Sequence, residues 1–136
     1  GVRGIGVSRA NQYGNNIESY LSDANGGVSV VIQIEDKAGV NNLENILEVA
    51  GLDSVFVGPY DLSASIGRTG DLKHPEVQAL IDQVRKKCLE VDKPVGIFEP
   101  DIEATRRRIE QGFSLITIST DISCIIRQTK TILQSI

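Results

Sequence analysis

Two carboxylates in the sequence follow short apolar stretches. Glu35 comes directly after the mostly apolar residues 30–34, and Asp61 follows residues 55–57 across a Gly-Pro-Tyr step. Both stretches have the composition of buried parallel strands, whose carboxyl ends lie on the same face of a sheet. Two carboxylates on that face, completed by water and substrate oxygen atoms, can hold a hard divalent cation. We therefore expect a metal site at Glu35 and Asp61.

Gln33 and the segment around Asp61 add polar groups to this expected site. Gln33 lies two residues before Glu35, so both side chains point to the same side of the strand and the amide can reach a keto oxygen. The backbone N–H groups of Tyr60 and Asp61 can open a helical turn and accept a carboxylate. A metal ion beside them would polarise a 2-oxo acid. In the alternative interpretation, Asp61 only caps a helix.

The composition is that of a single globular domain covering residues 1–136. The sequence is 40% hydrophobic and 24% charged, which favours a folded chain with a substantial core. The net charge of −4 predicts no nucleic-acid partner, and no apolar run is long enough to span a bilayer. No signal peptide is visible, so we expect a cytoplasmic protein. We expect Cys88 and Cys124 to be buried free thiols on helices.

The hydrophobic pattern alternates between strands and helices along the chain. Apolar runs predict strands at 28–34, 54–57, 94–98 and 115–118, with at most a short further strand at 5–7. Helical periodicity predicts helices over 15–24, 37–49 and 75–88, one capped by Asp101 and a last one capped by Asp121. His74, the sole histidine, is expected to flank the start of a helix. This α/β pattern leaves two arrangements open, a small open sheet with helices on both faces or half of a (β/α)8 barrel.

Several stretches resemble one enzyme family in composition and order. They are residues 1–10, the Gln-Ile-Glu sequence at 33–35, the Phe-Val-Gly-Pro-Tyr-Asp-Leu-Ser sequence at 56–63, and residues 74–77 and 93–97. The sequence resembles the HpcH/HpaI family of metal-dependent 2-oxo acid aldolases nearly from end to end. The resemblance implies a TIM-type (β/α)8 barrel, of which this chain matches about the C-terminal half, strands five to eight.

The resemblance also implies a role for each site residue. Glu35 and Asp61 would hold a divalent cation, Mg²⁺, Mn²⁺ or Co²⁺. Gln33 would be a catalytic residue beside the pyruvyl oxygen, and the amides of Tyr60 and Asp61 would receive the pyruvyl carboxylate. Phe98 would stand near the aldehyde end of the substrate pocket, where relatives often carry a smaller aliphatic residue.

The activity that the resemblance implies is a carbon–carbon lyase reaction. A 4-hydroxy-2-oxo acid would be cleaved to pyruvate, or a related 2-oxo acid, and an aldehyde through a metal-stabilised enolate. The expected partners are these small molecules and further copies of the chain in a homo-oligomer. One rival is an acyl-CoA lyase of the citrate-lyase β-subunit type, and another is a half-barrel that catalyses nothing by itself. The sequence at 56–63 favours the aldolase.

Overall fold

The structure, a computed structural model, describes residues 4–100 and 102–136. A 3-10 helix at Arg9–Gly14 precedes the regular elements. The regular elements are α1 (Ile17–Asp23), β1 (Val31–Ile34), α2 (Lys37–Asn41), α3 (Leu43–Leu47), β2 (Ser54–Val57), α4 (Pro59–Ser65), α5 (Pro75–Glu90), β3 (Val95–Glu99), α6 (Ile102–Glu110), β4 (Leu115–Ile118) and α7 (Asp121–Gln134).

The four strands form one parallel sheet in the order β1-β2-β3-β4. Gln33 pairs with Phe56, Phe56 with Gly96, and Phe98 with Thr117. Each strand is therefore added on the same side of the one before it, with no reversal of strand order. The expected α/β alternation is confirmed, and this winding is typical of barrels rather than of doubly wound sheets.

Helices bury one face of the sheet. The side chains of Ile34, Val57 and Ile97 point from the strands into a core that α2, α3 and α5 complete. The helix residues of that core are Val40, Leu43, Val77, Leu80, Ile81, Val84 and Cys88, together with Leu62 of α4. Because side chains alternate along a strand, the neighbouring residues Gln33, Phe56 and Phe98 point to the opposite face. One face of the sheet thus packs against the helices, and the other is an open surface of polar and aromatic side chains.

Gly96 is needed for close packing on the open face. A Cβ atom built there would lie 2.7 Å from Cδ2 of Phe56 and 2.6 Å from the carbonyl oxygen of Leu115. Both distances are shorter than real carbon contacts, and the second neighbour is backbone that cannot rotate away. The missing side chain therefore allows the Phe56 ring to lie across the middle of the sheet.

Several element boundaries differ from those that the sequence pattern predicts. The first strand begins at Val31 instead of residue 28, and the helix predicted over 37–49 is divided at Asn42, whose ψ of 9° lies outside the helical range. No strand forms at 5–7, where the described residues provide no neighbouring strand to pair with. A helix, α4, follows Gly58 directly, whereas the sequence predicted either a helical turn at Tyr60 and Asp61 or a helix that begins at Asp61.

The predicted helix caps can be compared at two places. Thr120 is the N-cap of α7, and its Oγ1 accepts a hydrogen bond from the Ser123 N–H at 3.2 Å, so the prediction of Asp121 was wrong by one residue. The expected cap Asp101 lies outside the described residues, as do the first three residues of the stretch 1–10. Among the described residues, no helix is long and apolar enough to cross a membrane.

The two cysteines lie in different environments. Cys88 is fully buried on α5, as expected, and burial raises the pKa of its thiol to about 11 against a smaller opposing effect of Lys93. Cys124 is exposed, so the expectation of burial was wrong for this residue. The reason is that no residue of α7 is buried by the described chain, although α7 carries an apolar stripe.

We expect a thiol reagent to distinguish the two cysteines. At pH 8 Ellman's reagent should modify Cys124 within minutes and leave Cys88 unmodified, because Cys88 is inaccessible and its thiol stays protonated. One thiol should react in the folded protein and two in denaturant, and Cys124→Ser should remove the fast reaction. If Cys88 and Cys124 reacted at equal rates in the folded protein, the burial of Cys88 on α5 would be contradicted.

The raised pKa of Cys88 also sets the sign of a pH effect on stability. The folded value of about 11 lies above an unfolded value of about 8.5, so the protonated thiol contributes fully below pH 8.5. This contribution is lost as the pH rises from about 8.5 towards 11. The free energy of unfolding, measured with urea across this pH range, should fall more steeply with pH for the wild type than for Cys88→Ala.

Candidate active site

A hydrogen-bonded pair of polar side chains stands where β1 ends. Gln33 donates from Nε2 to Oε2 of Glu35 at 2.7 Å, and both side chains are exposed. The pair forms because residues two apart on a strand share a side of the sheet. The structure thus brings together two of the predicted site residues and aligns the amide with the carboxylate.

Gly58 fits against this pair from the neighbouring strand. Its N–H donates to the carbonyl oxygen of Ile34 at 3.0 Å and so extends the β1–β2 ladder. A Cβ atom at Gly58 would lie 2.5 Å from Nε2 of Gln33 and 3.1 Å from Cβ of Glu35. The position therefore requires glycine for the pair to keep its place. The sequence interpretation treated Gly58 only as the end of a strand, and nothing in its spacing indicated the contact.

Helix α4 begins immediately after Gly58 and carries Tyr60 and Asp61 in its first turn. Pro59 occupies the first helical position, and Gly58 as N-cap has no side chain to accept the first N–H groups. Within the described chain the N–H groups of Tyr60 and Asp61 therefore receive no side-chain cap from the N-cap residue. Asp61 lies within the helix, so the alternative interpretation of Asp61 as its N-cap is wrong. Its exposed carboxylate is favoured there by the helix dipole.

These residues line an open pocket of about 270 Å³ on the uncovered face of the sheet. Its walls are Gln33, Phe56, Gly58, Pro59, Tyr60, Asp61, Phe98 and Thr117. The Tyr60 and Phe98 rings meet with centres 6.0 Å apart and planes inclined by 56°. Four predicted site residues therefore share one pocket, and Glu35 joins it through its hydrogen bond to Gln33.

Phe56 and Thr117 were not predicted as pocket residues. Both alternate along their strands with residues that point to the helices, and this alternation is the signal that could have identified them. His74 lies away from the pocket. It is the N-cap of α5, where its Nδ1 accepts a hydrogen bond from the Glu76 N–H at 3.2 Å, as expected for a helix flank.

Glu35 and Asp61 supply oxygen donors of the kind that a hard divalent cation prefers. Neither carboxylate takes part in an ion pair within the described chain, so both are free to bind a cation. The described residues contain no group of three or more acidic, histidine or cysteine side chains suited to a metal. Mg²⁺ is commonly bound by one or two carboxylates, with water and substrate oxygen atoms as the other ligands. The residues present therefore fit such an ion.

The winding of the sheet and the position of the pocket define a class of protein. Polar side chains at the carboxyl ends of strands that follow one another in a single direction are typical of barrel-type α/β domains. The chain belongs to the HpcH/HpaI aldolase/citrate lyase family, whose sequence model it matches over residues 3–127. This match confirms the family that the sequence motifs indicated.

Individual relatives agree with this assignment. The chain is 38% identical over 123 residues to the 5-keto-4-deoxy-D-glucarate aldolase of Klebsiella pneumoniae. The aligned region covers 90% of this chain and 48% of the relative. A solved HpcH/HpaI aldolase/citrate lyase family protein from Burkholderia cenocepacia has a TM-score of 0.92 at 40% identity, covering 99% of this chain and 52% of the other.

A more distant relative likewise aligns with this chain over about half of its own length. The HpcH/HpaI aldolase from Desulfitobacterium hafniense has a TM-score of 0.83 at 26% identity, covering 99% of this chain and 53% of the other. The chain therefore spans about half the length of the curated relatives and solved structures that it matches.

We expect Mn²⁺ affinity to depend on both carboxylates of the site. Glu35→Gln and Asp61→Asn should each weaken binding by about tenfold or more, because a neutral amide cancels less of the ion's charge. Glu48→Gln and Asp71→Asn are matched controls, since these residues are also exposed and lie outside the pocket. Titration calorimetry with Mn²⁺ measures all five proteins. Unchanged affinity in both site variants would exclude the site.

Proposed function

We propose that the chain provides the pyruvate-binding part of an aldolase that cleaves a 4-hydroxy-2-oxo acid to pyruvate and an aldehyde. The observation that carries this proposal is the shared pocket of Gln33, Tyr60, Asp61 and Phe98 at the strand ends of a family member. Its volume of about 270 Å³ suits a short 2-oxo acid, and its aromatic wall suits the less polar part of a substrate.

The polar groups of the pocket match the needs of carbon–carbon cleavage. The hydroxyl proton must leave, the bonding electrons must pass to the carbon beside the keto group, and negative charge grows on the keto oxygen. Gln33 has one N–H engaged with Glu35 and a second N–H to donate. We assign this second N–H to the keto oxygen, where its hydrogen bond strengthens as charge develops.

The first turn of α4 suits the carboxylate of the 2-oxo acid. The N–H groups of Tyr60 and Asp61 are not capped and carry the positive end of the helix dipole. We propose that they hold the carboxylate and thereby direct the keto oxygen towards Gln33. A divalent cation on Glu35 and Asp61 would supply positive charge beside the keto oxygen.

The relatives suggest a particular class of substrate. Several are named 5-keto-4-deoxy-D-glucarate aldolase. That compound has a keto group beside one carboxylate, then a methylene, then a hydroxyl-bearing carbon, so it is a 4-hydroxy-2-oxo acid when numbered from that end. Cleavage between the methylene and the hydroxyl-bearing carbon gives pyruvate and a three-carbon hydroxy-aldehyde acid. We propose a substrate of this kind.

We further propose that the sheet is one half of an eight-stranded barrel and that the chain works in an assembly, such as a homo-oligomer. Within the described chain β1 and β4 each pair on one side only. Their apolar residues Val31 and Leu115 are 46% and 44% exposed. Because an unpaired apolar strand edge favours pairing with another chain, this exposure favours association. The relatives' doubled length agrees with this proposal.

The assembly proposal predicts self-association of the 136-residue chain and little turnover by the monomer. Sedimentation velocity with a coupled pyruvate-release assay on 5-keto-4-deoxy-D-glucarate measures both. Val31→Lys and Leu115→Lys should reduce association because they place charge on the strand edges. Ile136→Lys, at a residue that is 97% exposed, is the control and should not. A stable and fully active monomer would exclude the half-barrel, and acyl-CoA cleavage without aldol cleavage would favour the citrate-lyase alternative.

Phe98 should determine aldehyde preference more than pyruvate binding. Phe98→Ala removes one partner of the Tyr60–Phe98 ring contact and widens the pocket on that side. We expect the ratio of kcat/KM values for large and small aldehydes in the reverse addition to change roughly tenfold, the effect of a few methylene groups. Pyruvate affinity, measured by calorimetry, should change less than threefold. Tyr13→Ala is the control, and equal loss for every aldehyde would contradict this placement.

A further inference from the structure

A second cavity, of about 330 Å³, lies on the helix side of the sheet. It is formed by the segment before α5, by α5, by the end of β3 and by α6. Glu99 lines it and alternates with Phe98 on β3, so the strand presents one residue to each face. The cavity is thus separate from the candidate active site, and Pro59 is the residue that lines both.

One side of this cavity is held by a nearly buried ion pair. Arg108 donates from Nε to Oε2 of Glu99 at 3.2 Å, and the two side chains are only 12% and 10% exposed. Arg108 also donates to Oε1 of Gln78 at 3.0 Å and to Oε1 of Gln111 at 3.1 Å. Its guanidinium carbon lies 5.7 Å from the centre of the Phe113 ring. This wall is therefore preorganised, and the charge of Glu99 is already compensated.

Two further cations line the cavity without such compensation. Lys73 and Arg107 are exposed, and neither side chain makes a hydrogen bond or an ion pair within the described chain. Among the described lining residues Lys73, Arg107 and Arg108 are positive and Glu99 is negative, which leaves a net charge of +2. The protein as a whole is acidic, with a net charge of −4, so this concentration of positive charge is local.

The remaining lining is largely apolar. Leu72, Ile81 and Ala104 contribute to the walls, with the two prolines Pro59 and Pro100. A ligand that fills the cavity would therefore place carbon against these side chains and negative charge against Lys73 and Arg107. A guanidinium group binds carboxylate and phosphate through paired N–H donors, whereas a lysine acts as a point charge for either group.

We propose that this cavity binds a small organic anion, a carboxylate or phosphate group carried on a short apolar stem. Lys73 and Arg107 bind the anionic group, and the apolar walls bind the stem. The bound molecule lies against Pro59, which begins the helix that carries Tyr60 and Asp61. The proposal does not depend on the aldolase assignment, because binding at this cavity can be measured without turnover.

Calorimetric titrations of the whole chain with butyrate, butyl phosphate and inorganic phosphate test the site. Lys73→Gln and Arg107→Gln should each weaken binding of the preferred butyl anion by about fivefold, the upper range for one exposed ion pair. Arg106→Gln is the matched control, since it removes the same charge from the same helix at a residue outside the cavity. The affinity of this control should equal that of the wild type.

The three ligands and a fourth probe distinguish the outcomes. Tighter binding of butyrate assigns a carboxylate ligand, and tighter binding of butyl phosphate than of inorganic phosphate assigns a phosphate ligand on an apolar stem. Butylamine, with the same stem and the opposite charge, should not bind. Equal weakening by Arg106→Gln, equal affinity for butylamine, or no binding of either butyl anion would overturn the proposal. Thermal unfolding of each variant confirms that these exposed substitutions leave the fold intact.

Discussion

The candidate active site depends on the backbone contact between Gly58 and the end of β1. The Gly58 N–H continues the parallel ladder to Ile34, and the absence of a Cβ atom leaves room for Gln33 and Glu35. The same glycine leaves the first N–H groups of α4 without a side-chain cap. One residue therefore positions the amide–carboxylate pair on one strand and starts the helix of Asp61 on the next. A side chain at position 58 would displace the Gln33 amide from its place beside Glu35.

The sheet can carry this site because its two faces are divided by strand alternation. The helix-side residues, among them Val55, Val57 and Ile97, are fully buried and hold the strands in place. The open face keeps Gln33 accessible beside the rings of Phe56 and Phe98. Polar groups that bind substrate remain hydrated until a ligand arrives, whereas stability comes from apolar burial on the other side. The site and the core therefore do not compete for the same side chains.

The helix side also contains polar structure. The Arg108–Glu99 pair lies at the end of β3, next to the apolar core, and is satisfied by Gln78 and Gln111. A charge so little exposed is tolerated only when its hydrogen-bonding groups have partners. This network keeps α5, β3 and α6 in register around the second cavity. The strand that places Phe98 in the active-site pocket is thus held on its helix side by the Arg108–Glu99 ion pair.

The sequence by itself determined the α/β alternation and the nearness of Gln33 to Glu35, because these follow from local periodicity and residue spacing, and the resemblance of its motifs indicated the family. It also indicated Asp61, since an acid after a parallel strand must lie at the sheet's carboxyl edge. Only the tertiary structure decided the order of the strands and the contact of Gly58 with Gln33. It also decided the meeting of Tyr60 with Phe98 and the exposure of Cys124 on α7. The physical reason is that these contacts join residues distant in sequence, and a periodic pattern shows which face is apolar without showing what covers it.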